Sequence, residues 1–303
     1  MCVLPELPGT TDRALALLGD TWTLLILQRA HLGARRYAQW RDVLGISHST
    51  LSGRLRSLTE AGLLATRPYR DGGRSRMEYT LTERGADTWS LLAAIWAWER
   101  RWVPREVPLP DPLHTVCGQG RDVLLTCGDC HRPVGLRDTV TTREPGVPLL
   151  PALPARLHPR RTRKELPSDP MSLFPGAMEI IGDRWGTAVL AAAALRVRTF
   201  SDFQRFMDVS PDVLTDRLRR FVAMDVLGPS PKGGYKLTER GLATFPILAC
   251  LLAWADRWMG ADGARPALVI RHTACGHVLR PVLTCAACGV PYERRTLRPS
   301  PVA

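Results

Sequence analysis

A chain of 303 residues is long enough for two domains of ordinary size, each with its own core. Its formal net charge of +12, mostly an excess of arginine, favours an anionic partner, with nucleic acid ahead of a membrane surface. No apolar run approaches the roughly 18 residues of a membrane span, and the start, Met1-Cys2-Val3-Leu4-Pro5-Glu6, lacks the basic and apolar regions of a signal peptide. The expected compartment is therefore the cytoplasm, where eight cysteines are poor candidates for structural disulfides.

In chain order, the apolar pattern of Leu15, Leu18, Trp22, Leu25 and Ile26 predicts a helix over 12–31, capped at Thr11 or Asp12 and closed by Gly33. A short helix over 36–44 should bury Tyr37, Trp40 and Leu44. After Gly45, Ser47 caps a helix running to about residue 61, with Leu51, Leu55 and Leu58 on its inner stripe. The outer face carries His48, Ser49, Ser52, Gly53, Arg54 and Arg56. A short helix, a tight turn and a helix with a polar, basic outer face predict a helix-turn-helix. Leu63–Arg67 and Met77–Leu81 read as strands about a turn at Asp71-Gly72-Gly73, a β-hairpin wing rich in Arg67, Arg70, Arg74 and Arg76. Thr82 should cap a helix over 83–104, whose Trp89, Leu92, Ile95, Trp96 and Trp102 read as core or helix–helix interface.

The plan then repeats. Gly19-Asp20-Thr21-Trp22 returns as Gly182-Asp183-Arg184-Trp185, and Leu81-Thr82-Glu83-Arg84-Gly85 as Leu237-Thr238-Glu239-Arg240-Gly241. A repeat unit of this length is a domain, not a solenoid turn. The second copy has a first helix over about 173–194 and a helix started by Ser210-Pro211-Asp212, with Leu214, Leu218 and Phe221 inside and Arg217, Arg219 and Arg220 at its basic edge. Its wing, around Lys232 and Lys236, is seven residues shorter and less basic, and Asp212 and Asp216 would repel phosphate. Copy one is thus expected to be the tighter nucleic-acid module. Residues 136–170 hold seven prolines and the run Arg160-Arg161-Thr162-Arg163-Lys164, which read as a semi-extended linker able to reach on the order of 100 Å.

Each copy also carries His-x2-Cys and then Cys-x2-Cys: His114, Cys117, Cys127 and Cys130 in the first, His272, Cys275, Cys285 and Cys288 in the second. Three thiolates and one imidazole per copy suit a closed tetrahedral Zn2+ site of the structural kind, two sites in all, with strands at Val123-Leu124-Leu125 and Val278-Leu279. Such a site has no open position for a catalytic water. His131 and His277 are not matched between copies and read as exposed loop residues. Cys250 reads as a buried small hydrophobe. A redox-switch variant, in which oxidation ejects metal, is the alternative for the Cys-x2-Cys pairs.

Gly19, Asp20 and Trp22, the run Ile46, Ser47, Leu51, Arg54, Leu55 and Arg56, and Tyr79, Leu81, Thr82 and Gly85 together resemble the HxlR family of winged-helix transcriptional regulators. The likeness covers most of 10–104 and, more weakly, 171–260. It implies a tandem, fused form of proteins that usually bind palindromic operators as homodimers through the recognition helix and wing. Sensing members carry a cysteine just before the first helix; here Pro8 and Met171 lie near that place. The cysteine clusters are an addition to the basic family domain.

The expected fold is mainly α with β-hairpin wings: two winged helix-turn-helix domains (1–109 and 171–263), each followed by a small zinc-ribbon-like module (110–135 and 264–303), with the linker between. The expected function is a sequence-specific regulator of transcription, a repressor sooner than an activator. It would bind double-stranded DNA as a fused pseudo-dimer on a pseudo-palindromic operator, with room for a small-molecule effector among Trp22, Trp185 or the Trp-rich last helices. No membrane role and no catalytic residues are expected: there is no general base beside the cysteines, no His-x-Glu pair and no phosphate-cradling Gly loop. The alternatives are a winged-helix protein-docking scaffold and a zinc- or thiol-based redox-responsive regulator.

Overall fold

Gly19 interrupts what the apolar pattern draws as one helix. In the computed structural model, α1 (Thr10–Leu18) stops there and α2 (Thr21–His31) starts afresh. A Cβ on Gly19 would lie 2.4 Å from the Leu15 carbonyl oxygen, so only glycine permits the break. Asp20 then caps α2 by accepting from the Thr23 N–H at 3.0 Å, worth about 1 kcal/mol. Copy two repeats the break at Gly182, between α7 (Pro175–Ile181) and α8 (Arg184–Ala194), where a Cβ would approach the Met178 oxygen to 2.2 Å. The single helices expected over 12–31 and 173–194 are therefore pairs, because the glycine of the repeated Gly-Asp-x-Trp motif ends one helix and, in copy one, the Asp starts the next. The structure describes residues 9–71, 74–120, 122–147, 174–182, 184–260 and 263–300, excepting the side chains of 71, 74 and 184. Cys2, Pro8, Met171 and the basic run 160–164 lie outside them.

The rest of copy one follows: α3 (Tyr37–Leu44), α4 (His48–Glu60), β1 (Leu64–Asp71), β2 (Arg74–Leu81), α5 (Glu83–Ala86) and α6 (Trp89–Trp102). Thr82 caps α5 only, accepting from Gly85 N–H, so the helix expected over 83–104 is also split. The inner stripe of α4 is as expected, with Leu51, Leu55 and Leu58 fully buried beside Trp40, whose indole N–H donates to the Ile26 carbonyl at 3.0 Å. The wing strands pair in register from Leu64↔Leu81 to Asp71↔Arg74. Copy two holds α9 (Phe200–Met207), α10 (Pro211–Ala223), β7 (Leu227–Pro229), β8 (Tyr235–Leu237), α11 (Glu239–Leu242) and α12 (Phe245–Trp258).

The two copies grip one another reciprocally. Trp98 on α6 donates its indole N–H to the Arg240 carbonyl at 3.2 Å, and its counterpart Trp254 on α12 donates to the Arg84 carbonyl at 3.1 Å. Each arginine side chain in turn lies over the other copy's indole, at 5.7 Å for Arg84 and 5.3 Å for Arg240. A residue and its partner exchanging roles is the mark of a self-complementary contact. Helix α1 packs on α12, and α7 on α6. At the second of these junctions the buried Glu99 accepts from the N–H groups of Gly176 and Ala177, at 3.2 and 2.7 Å, and pairs with Arg105 at 3.0 Å. A carboxylate at a helix N-terminus satisfies donors that the helix itself leaves unpaired. Glu99→Ala would remove the ion pair with Arg105 and leave those two donors unpaired together. The expected loss is about 3–5 kcal/mol, read as a fall in the denaturant midpoint, and a change under 1 kcal/mol would show the contact to be incidental.

The cysteine-bearing segments are shared between copies as well. The first copy supplies β3 (Pro112–His114), β4 (Gln119–Gly120), β5 (Val123–Cys127), a 3-10 turn over Leu136–Asp138 and β6 (Thr139–Arg143). The second supplies β9 (Leu268–His272), β10 (Pro281–Cys285) and β11 (Leu297–Pro299). β5 pairs antiparallel with β10, β6 with β9 and β11 with β3, so every one of these three pairings crosses between copies. Leu125 and its repeat counterpart Leu283 face one another in the middle of β5–β10, and Thr126 and Thr284 hydroxyls meet at 2.8 Å. Two expectations change here. The second strand is β10, not Val278-Leu279, and the stretch read as linker from residue 136 carries β6, because β9 offers it an edge.

Candidate nucleic-acid interface and metal centres

The first turn of α4 presents His48 and Ser49 to solvent, above the Ser47 cap. Tyr37 steadies that turn by donating its hydroxyl to the His48 carbonyl at 3.3 Å, with the two rings 5.3 Å apart. Gly53 and Arg56 are exposed further along, and Ser52 is half-buried. Arg54 is differently placed. Its guanidinium donates to Asp20 Oδ2 at 2.9 Å, which ties the recognition helix to the cap of α2. The sequence marks Asp20 as repeated; only the packing reveals that its second oxygen holds Arg54. On the wing, Arg67, Arg70 and Arg76 are exposed, while the Arg74 side chain lies outside the described residues. Arg36, not singled out from the sequence, lies over the Tyr69 ring at 4.7 Å and joins the wing through a bridge to Glu78.

Copy two presents a more neutral surface. On α10, Arg217 is ion-paired with Asp216, and Arg220 is held by Asp216 at 3.0 Å and Glu179 at 3.2 Å. Arg219 and Asp212 are exposed on the outside of the same helix. Lys232 sits exposed on the β7–β8 turn, which closes through Gly233 and Gly234 at φ of +83° and +77°. The turn is pressed against the domain, since a Cβ on Gly234 would meet the Arg198 oxygen at 2.3 Å.

The cysteines assemble across copies. His114 and Cys117 meet Cys285 and Cys288, while Cys127 and Cys130 meet His272 and Cys275, the ligand atoms of each group lying within 4.8 Å of one another. In the first group Cys117 and Cys285 sulfurs are 3.8 Å apart, and His114 Nδ1 lies 3.3 Å from Cys288 and 3.6 Å from Cys117. The second group repeats this, with Cys127 and Cys275 at 3.8 Å and His272 Nδ1 at 3.3 Å from Cys130 and 3.5 Å from Cys275. All eight expected ligands are thus gathered, but not as the spacing within each copy suggests. The antiparallel β5–β10 pair sets Cys285 beside Val123 and Cys127 beside Pro281, delivering each Cys-x2-Cys to the other copy's His-x2-Cys.

The knuckles share one backbone shape. The N–H groups of Gly118, His131, Gly276 and Gly289 each reach back to the carbonyl of His114, Cys127, His272 and Cys285 at 2.8–2.9 Å, all four with φ between +60° and +74°. His131 therefore fills a turn position that Gly289 fills in the other copy, and its ring is exposed, as is that of His277. Burial of Cys285 opposes ionisation, but the N–H groups of Cys288 and Ala287 outweigh it and bring the thiol down to about 6. Cys127 is likewise brought to about 7 against its burial by the N–H groups of Cys130 and Asp129. Each group can hold a metal ion. Cys250 is the opposite case, buried on α12 with its thiol pushed up to about 12 by that burial.

The profile of the HxlR-like helix-turn-helix family matches residues 17–107 and 180–262, one winged helix each. The chain belongs to the HxlR-like helix-turn-helix family. It is 41% identical over 138 residues to the HTH-type transcriptional regulator Rv3095 of Mycobacterium tuberculosis and, equally, to Mb3122 of Mycobacterium bovis. That span is 85% of each relative but 45% of this chain, so one relative corresponds to about one copy. A regulator from Synechocystis, sll1512, is 35% identical over 91 residues, 30% of this chain and 67% of that protein. Among solved structures, the putative transcription factor PA1607 is 30% identical over 44% of this chain and 92% of its own, with a TM-score of 0.39. The family places this tandem HxlR-like chain among helix-turn-helix transcriptional regulators, not enzymes, and among DNA-binding proteins. No helix of the described residues is long and apolar enough to cross a membrane.

Proposed function

We propose that the chain is a cytoplasmic, sequence-specific repressor that acts as a fused pseudo-dimer on a pseudo-palindromic operator. The observation that carries the reading is the reciprocal contact between copies, with Trp98 and Trp254 exchanging partners and two ligand clusters each drawn from both copies. A frame of that symmetry presents two recognition helices to two half-sites, as a homodimer does. In copy one, His48, Ser49, Ser52, Gly53 and Arg56 read base edges while Arg67, Arg70, Arg74 and Arg76 neutralise phosphates or enter the minor groove. Arg54 serves chiefly to hold α4 against Asp20. In copy two, Arg219 and Lys232 supply the backbone contacts, with Arg217 and Arg220 engaged by carboxylates.

Both clusters hold structural Zn2+. With Zn–S of about 2.3 Å, the edge of a tetrahedron is about 3.8 Å, which matches the sulfur separations, whereas a disulfide needs about 2.05 Å. Four protein ligands leave no position for a reacting water. The zinc sites then fasten the copies together more than they staple either one, giving the short, Pro-flanked modules an order they lack the core to make alone. Genome-wide binding of the tagged protein, followed by motif discovery, tests the regulator reading. An inverted repeat with half-sites about one helical turn apart is expected. A single half-site would limit base reading to copy one, a reading that the paired Arg217 and Arg220 favour. No enriched sites would replace DNA by a protein as the partner.

A further inference from the structure

Copy one contains a cavity of about 560 Å³ between α2, α6 and the returning segment 294–299 of copy two. Its walls include Trp89, Leu92, Trp96 and Phe174, and at its rim stand Arg294, Arg295 and Arg298. Among the described residues no carboxylate lines it. Gln28, 5% exposed, faces this space with neither its amide oxygen nor its nitrogen bonded to anything. Leaving a buried amide without a partner costs about 1–3 kcal/mol, so a purely structural role would select an apolar residue there.

The duplicate supplies the comparison. Aligned by the repeated motifs, Gln28 corresponds to Ala191, His31 to Ala194, Trp96 to Leu252 and Arg294 to Leu136. In copy two these counterparts close on a cavity of only about 30 Å³, lined by Ala188, Ala191, Phe245, Leu248 and their neighbours, with no charged residue among the described ones. The same place in the same fold is packed core in one copy and an open, cationic, aromatic-walled space in the other. Core packing therefore does not require the polar groups of copy one. His31 is no rival cation: its Nε2 engages Thr88 at 3.1 Å, and burial, reinforced by Arg294, lowers its pKa to about 4.

We propose that this cavity binds one amphipathic organic anion, an aromatic or cyclic body seated on Trp89, Trp96 and Leu92 with its acidic group held by Arg294 and Arg298 and hydrogen-bonded by Gln28. The volume suits a molecule of ordinary small-ligand size. The ligand would touch α2, which packs on recognition helix α4, and the segment of β11, which pairs with the His114 strand, so it sits between the DNA-reading face and a metal centre. This goes beyond DNA binding and does not depend on it.

The test uses the full zinc-loaded chain with two probe dyes, 1-anilinonaphthalene-8-sulfonate and the uncharged N-phenyl-1-naphthylamine, read by dye fluorescence and tryptophan quenching. One sulfonate dye per chain is expected, bound at least about tenfold tighter than the uncharged dye. The Arg294→Ala/Arg298→Ala variant, changed only at exposed residues, should abolish that preference while its circular dichroism is unchanged. Gln28→Leu should weaken the dye and raise the melting temperature, since it removes an unpartnered amide. Equal binding by wild type and the arginine variant, several dyes per chain, tighter binding of the uncharged dye, or a Gln28→Leu protein that melts lower would each overturn the assignment.

Discussion

Serine at both Cys117 and Cys285 is expected to leave the chain with one tightly held zinc ion of two, whereas serine at Cys117 and Cys127 leaves none. The reason is the crossing of β5 and β10. Cys117 and Cys285 belong to one cluster, so their joint loss spares Cys127, Cys130, His272 and Cys275. Cys117 and Cys127 sit in different clusters, so each site drops to three ligands and yields its metal to a competing chelator. Pairing within each copy predicts the reverse outcome for these two variants. Native mass spectrometry after a chelator challenge separates the cases. Stability should follow the metal: structural zinc contributes on the order of 10 kcal/mol in small domains, and zinc held in these two clusters would also join the two copies. The variant without tight zinc should therefore lose the cooperativity between copies and unfold in separate steps.

Neutralising Arg67, Arg70 and Arg76 together is expected to weaken operator binding about tenfold to hundredfold at physiological salt and to flatten the salt dependence by between two and three powers. Each phosphate contact contributes a slope near 0.9, and all three side chains lie exposed on the first wing. Changing Lys232 and Lys236 to alanine should cost less than about threefold, because the second wing is short and its turn is pressed against Arg198. Fluorescence anisotropy titrations at several salt concentrations measure both quantities. A steeper loss from the second wing would invert the assigned order of the two copies.

The recognition helices were legible from the sequence because a cap, a stripe of leucines and a basic outer face are all local patterns. Ser47 and the buried Leu51, Leu55 and Leu58 lie where periodicity draws them. The breaks at Gly19 and Gly182 were not, since a glycine inside a strong apolar period looks tolerable until the preceding carbonyl is seen to occupy the place of its Cβ. The ion pair of Arg54 was hidden for a different reason: an arginine on a helix face shows its charge in the sequence but not the carboxylate, 34 residues away, that it pairs with.

The sequence by itself determined the duplication, the helix-turn-helix plan, the wings, and which eight residues could bind metal, since each is a matter of residue type and near spacing. Tertiary structure alone decided which of those ligands share an ion, how the copies exchange strands and tryptophans, and why one of two equivalent places is open. Those outcomes depend on antiparallel pairing and on side chains more than 140 residues apart meeting in space, for which a chain read in order carries no signal.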